Sequence, residues 1–169
     1  MNIRQLGFLA GVAHLWAALL LLGSLLTETV LLYPNIFHDV PRSLRTTTDF
    51  LAVTNPGDVF PVIGTATLLT GVLAVVLGWR TRAARYRFLG GVASVALGDF
   101  LLSMLYMWER NEIMFEGTAV HSAAYLQQVA TEFQTAHWFR LCAAALAAVL
   151  AFAGFLALHR QRVTAGRPD

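Results

Sequence analysis

The sequence predicts an all-α fold: an integral membrane four-helix bundle with both termini cytoplasmic and two longer loops, 33–59 and 109–135, that lie outside and carry short helical segments. Three observations lead there. The chain is 57% hydrophobic and 13% charged, about half the charge fraction of an ordinary soluble domain. Its apolar residues form unbroken blocks, near 6–32, 60–79, 88–108 and 136–158, and about 18 such residues suffice to cross a hydrocarbon core as a helix. A segment in lipid must pair its backbone groups internally, and these blocks lack the alternation of a barrel strand. Finally, all 12 basic residues are arginines, and they are unevenly placed. Arg4 precedes the first block, Arg80, Arg82, Arg85 and Arg87 follow the second, and Arg160, Arg162 and Arg167 end the chain. The two longer loops hold Arg42, Arg45 and Arg110 among Asp39, Asp49, Asp58, Glu109, Glu112 and Glu116. Positive charge marks the cytoplasmic side, here of a bacterial plasma membrane. The pI of 9.1 therefore reports topology and requires no nucleic-acid partner.

The first block is too long for the apolar region of a signal peptide and ends in Leu31-Leu32-Tyr33 without a small-residue cleavage site, so it reads as a retained helix. Pro34 and Pro41 then bracket an extended or turned segment, followed by a short interfacial helix from about Arg42 to Val53. Asn55-Pro56-Gly57-Asp58 reads as a turn and Pro61 as the first turn of the second helix. The loop Glu109 to Glu132 lacks proline and continues the third and fourth helices, with a break near Gly117. No repeat or linker divides residues 1–169, which form a single domain. The single Cys142 excludes an internal disulfide. Gly7 and Gly11, then Gly90, Ser94 and Gly98, then Ala143, Ala147 and Ala151 recur every four residues. Such small-residue faces suit close helix contacts or self-association into a homo-oligomer.

Ionisable groups within a membrane helix are costly and face a partner or a cavity. His14, Thr70 and Asp99 fall in one layer near the midplane, and mutual satisfaction of His14 and Asp99 is their structural explanation. Nearer the outer end, Glu28 and Arg140 share a depth that suits an ion pair. His137 lies one turn above Arg140 on the same face. At α-helical spacing Asp99, Ser103, Tyr106 and Arg110 form one stripe, so the polar groups describe a funnel that opens outward and narrows onto Asp99. A metal is the cofactor this pattern allows: Glu28, His121 and His137 offer carboxylate and imidazole ligands suited to copper, iron or zinc. No His-Glu-x-x-His or paired Glu-x-x-His motif supports it.

Trp108-Glu109-Arg110-Asn111, followed by His137-Trp138-Phe139-Arg140 at the start of an Ala-rich last helix, resembles the anthrone-oxygenase-like family of small four-helix membrane proteins. The likeness spans mainly residues 108–155. It implies a four-helix bundle and oxidation of polycyclic phenolic substrates by molecular oxygen, and it carries over Asn111, His137 and Arg140. Two functional classes follow. As an oxidoreductase or oxygenase acting on a lipophilic small molecule, the chain would use His137, with Glu28 or Asp99, as base or ligand. Arg140 and Asn111 would hold an oxyanion, and Tyr106, Trp108, Trp138 and Phe115 would form aromatic walls for the substrate. As a non-catalytic lipid-binding or accessory subunit, it would hold the same groups as satisfied pairs. In both, membrane lipid is a partner.

Overall fold

Four segments of this sequence hold apolar runs long enough to form continuous helices, and they do, even across Gly90-Gly91. The computed structural model describes residues 2–165. Helix α1 runs Ile3–Ile36, α2 Arg42–Phe50, α3 Pro56–Leu77, α4 Arg82–Phe115 and α5 Ala123–Ala165. No strand occurs among the described residues. All of these except α2 are long and apolar enough to cross a membrane, which suggests an integral membrane protein. Each neighbours the next around a ring: α1 packs on α3, α3 on α4, α4 on α5, and α5 on α1.

The helices exceed the apolar blocks that predicted them. Helix α5 has 43 residues, a length of about 64 Å at 1.5 Å per residue, against a hydrocarbon core of about 30 Å. Its polar first turns persist as helix because they pack on their neighbours. Val129, Ala130, Phe133 and Ala136 join Tyr33, Ile36, Phe37, Leu44, Met107 and Met114 in a buried cluster at the end bearing the two long loops. The break near Gly117 and the short helix after Arg42 occur as expected.

The turn expected at Asn55–Asp58 is instead the start of α3. The Asn55 side chain accepts from the Gly57 amide at 2.7 Å, and Asp58 accepts from the Asn55 amide at 3.0 Å. This reciprocal cap satisfies amides that a turn would have left to water. Pro61 thus lies inside the helix, where its missing N–H deprives the Gly57 carbonyl of its helical bond. Likewise, the segment after Leu32 is not extended, because α1 continues through Pro34 to Ile36.

At the opposite end, which we call the arginine end, small residues set the spacing. A Cβ on Gly7 would stand 2.8 Å from the Leu77 carbonyl oxygen, and nearer the middle of the bundle, next to Asp99, one on Gly98 would stand 2.5 Å from the Ala143 methyl. Ser94 donates to the Ala143 carbonyl at 2.8 Å, which locks the α4–α5 contact in register.

His14 does not pair with Asp99. Its ring is fully buried in a slot where Gly71 and Gly91 lack side chains, edge-on to Phe88 at 5.7 Å. Neither ring nitrogen closes a well-formed hydrogen bond, although the Thr67 backbone is close by. The imidazole fills space that the two glycines leave, and the polar layer expected at mid-depth separates into unrelated parts.

Candidate functional site

The site is built where three stretches of helix abandon α spacing. Glu28–Leu32 in α1, and Val95–Leu101 and Ser103–Met107 in α4, have π spacing. Single π turns inside α-helices occur often at functional sites. Pro34 follows the first of them and withholds one N–H from the helix. The turn it accompanies positions Glu28 and Thr29, and the second positions Asp99.

These turns line a cavity of about 570 Å³ at the long-loop end. Glu28, Asp99, Asn111 and Arg140 supply polar groups, and Tyr33, Phe37, Phe60, Phe100, Trp108, Phe115 and Phe133 supply aromatic walls. Thr47 and Thr48 of α2 also line it. Residues Asp99, Ser103, Met107, Asn111 and Phe115, each four positions from the last, all face the cavity. In a pure α-helix such a row drifts by about 40° per step. The wider π turns remove most of that drift, so the stripe follows a different set of residues from the one α spacing predicts. Ser103 stays on it, whereas Tyr106 and Arg110 leave it. The Arg110 guanidinium lies 3.3 Å from the Tyr106 ring centroid and bonds Glu132 at 3.0 Å.

Arg140 also departs from expectation. Its Nε donates to Asp99 at 2.7 Å, forming an ion pair in which both side chains are almost wholly buried. Glu28, the partner predicted for it, is engaged elsewhere. Arg140 has five N–H donors. One serves Asp99 and another reaches only the Met107 sulfur at 3.9 Å. The guanidinium therefore keeps donors for an oxygen acceptor in the cavity.

Glu28 belongs to a chain of three side chains. The Tyr33 hydroxyl lies 3.3 Å from Glu28 Oε2 and 3.1 Å from His137 Nδ1, and the imidazole lies 3.9 Å from the carboxylate. On its far side, His137 Nε2 faces the Leu25 carbonyl at 3.2 Å and the Thr29 hydroxyl at 2.9 Å. The Thr29 proton is committed to the same carbonyl at 2.7 Å. Nε2 therefore meets only acceptors, which assigns its proton there and leaves Nδ1 as an acceptor in the neutral ring. The single Tyr33 proton then has two acceptors, Nδ1 and Glu28. Swinging the Tyr33 O–H between them alters the basicity of the carboxylate without displacing a heavy atom. Tyr33 was not singled out from sequence. Its signal was its place five residues after Glu28, one π turn along the helix.

His137 is 1% exposed and stands behind Glu28 and Tyr33, away from the cavity wall. The group presented to a ligand is the carboxylate. Trp138 points outward on the surface and is not part of the cavity. His121 is exposed and packs on Tyr125 at the Gly117 break, apart from buried Glu28 and His137. Among the described residues no three His, Cys, Asp or Glu side chains gather as a metal would require. The predicted ligand set Glu28, His121 and His137 is not assembled, because its middle member sits on a turn outside the helical packing. Replacing His121 by Ala is expected to shift the unfolding midpoint by no more than an ordinary surface change, within about 0.5 kcal/mol. A thermal melt in detergent checks this, and a loss several times larger would show a buried role for His121.

No protein-family model, curated protein or solved structure matches this chain.

Proposed function

We propose that the protein is a membrane oxidoreductase of the oxygenase type, which draws a lipophilic ring compound from the bilayer into the cavity and removes a proton from it with Glu28. The observation that carries this reading is a buried carboxylate and a mostly buried guanidinium on the wall of one cavity that also has seven aromatic side chains. Its volume of about 570 Å³ falls within the usual range for small-molecule sites, roughly 300–1,000 Å³. A phenolic or ketonic oxygen placed against the free Arg140 donors and the Asn111 amide would bring the adjoining acidic proton toward Glu28. The proton passes to the carboxylate, which Tyr33 and His137 orient. The electron pair spreads onto the ring oxygen, where fixed donors in a dry site stabilise it. The resulting carbanion reduces molecular oxygen, the oxidant implied by the resemblance of residues 108–155: a C–O bond forms, the peroxide takes the proton back from Glu28, and loss of water leaves a ketone, so that a CH2 group and O2 give C=O and H2O. The arginine distribution supports cytoplasmic termini, with the cavity in the outer leaflet.

Gly64 provides the test. Gly64 lines the cavity, and a Cβ there meets nothing closer than Asp99 Oδ2 at 3.8 Å, so Gly64→Leu starts without a clash and takes up cavity space. It is expected to weaken binding of a polycyclic phenol by roughly tenfold or more, about 1.4 kcal/mol, with the unfolding midpoint retained. Wild-type protein in nanodiscs is expected to consume oxygen with that phenol, read by an oxygen electrode. Binding without oxygen uptake would favour a second reading, a non-catalytic lipid-binding or accessory subunit. The mutual pairing of Arg140 with Asp99, and of Tyr33 with His137, suits that reading too.

A further inference from the structure

Among the described residues, the arginine end carries its charge without counter-ions. Arg4, Arg80, Arg82, Arg85, Arg160 and Arg162 lie in segments that contain no Asp or Glu among the described residues. Every ion pair found among those residues involves Arg110, His137 or Arg140, toward the other end. Two of these cations gather around one ring. The Arg82 and Arg85 guanidinium carbons lie 5.9 Å and 4.7 Å from the Tyr86 ring centroid, and Arg85 also lies 4.6 Å from that of Trp79. Arg85 Nη2 donates to the Tyr86 hydroxyl at 3.2 Å. Both rings are more than half exposed.

The corner is continuous with the rest of that end. The Thr81 hydroxyl donates to the Gln161 side chain, and Arg162 lies over Phe8 at 4.2 Å. The connection before α4, the end of α5 and the start of α1 therefore meet there. Two guanidinium groups beside one exposed ring, with no carboxylate in the same segment, offer unpaired positive charge to an anion. Their planar forks match phosphate oxygens. Trp79 and Tyr86 sit at the ends of membrane-length helices, the level that amphipathic rings occupy among headgroups.

We propose that the corner formed by Trp79, Arg82, Arg85 and Tyr86 is a docking site for the phosphate of an acidic phospholipid in the adjoining leaflet. A lipid fits better than a free anion because the site opens beside the apolar outer surfaces of α3 and α4, where Leu73, Val76 and Leu89 are exposed to hold acyl chains. The proposal does not depend on the chemistry of the cavity.

Native mass spectrometry of the full chain, from nanodiscs of phosphatidylcholine containing a minor share of phosphatidylglycerol, tests it. Arginine near an anionic headgroup contributes about 1 kcal/mol, so two correspond to a preference of about thirtyfold for phosphatidylglycerol. The preference is expected to fall to near parity in Arg82→Gln/Arg85→Gln and to survive in Arg42→Gln/Arg45→Gln. Arg82, Arg42 and Arg45 are exposed and Arg85 is partly exposed, and equal melting of the variants in phosphatidylcholine alone verifies the fold. Single Arg82→Gln, expected to lose part of the preference, serves if the double variant melts early. Equal retention of both lipids by the wild type would overturn the proposal. So would an undiminished preference in the Arg82 variants, or displacement of the lipid by millimolar inorganic phosphate, which would assign the site to a free anion.

Discussion

Replacing Glu28 by Gln is expected to lower turnover of a phenolic substrate by about 10²- to 10⁴-fold, the usual contribution of a positioned general base. Glutamine keeps the shape of the side chain and can still accept from the Tyr33 hydroxyl through its amide oxygen. It cannot take up a proton. Binding of the same phenol should change little, since the Arg140 donors and the aromatic walls remain. Tyr33→Phe should act in the same direction by a smaller factor, because it severs the link to His137 and leaves the carboxylate in place. Oxygen-uptake rates measured beside equilibrium binding separate the two effects. Turnover in Glu28→Gln within a few-fold of wild type would remove the carboxylate from the chemistry.

The second large effect concerns stability. Asp99→Leu is expected to cost about 3–5 kcal/mol, because it strands the Arg140 guanidinium in a buried setting without its counter-charge. Arg140→Met should cost a similar amount by stranding the carboxylate. The double substitution should recover most of the loss, since replacing both members of a buried pair by apolar groups is often neutral. Denaturant or SDS titration of the four proteins gives the cycle. Additive single effects would show that the two charges are solvated separately through the cavity.

The bundle was legible because hydrocarbon imposes long apolar runs, and the runs around Ala18, Thr67, Val95 and Ala147 each lie within an observed helix. The site was legible only as a set of residue types. Glu28, Asp99, Asn111, Trp108 and Arg140 share the cavity, but their partners were assigned wrongly. Equal depth suggested Glu28 for Arg140, whereas depth along an axis says nothing of the direction in which a side chain turns. Regular α spacing placed Tyr106 on the polar stripe, and no composition signal announced the π turns that rotate it away. His121 and Trp138 were chosen for their chemistry, and side-chain chemistry carries no information about which face of a helix or turn is covered. Tyr33 was missed because an interfacial tyrosine is common enough to need no other explanation.

The Arg140–Asp99 bond has a consequence for how the chain enters the bilayer. Each of the last two spanning helices carries one deeply placed charge, and their signs are opposite. Presented singly to the membrane, each charge adds about 2.5–3.5 kcal/mol to the insertion free energy of its segment. Presented as an antiparallel hairpin joined by the short break at Gly117, the two helices carry a neutral pair. For a chain inserted helix by helix, release of α4 into lipid only after α5 has been synthesised would lower this cost, because the two would then partition as one neutral unit.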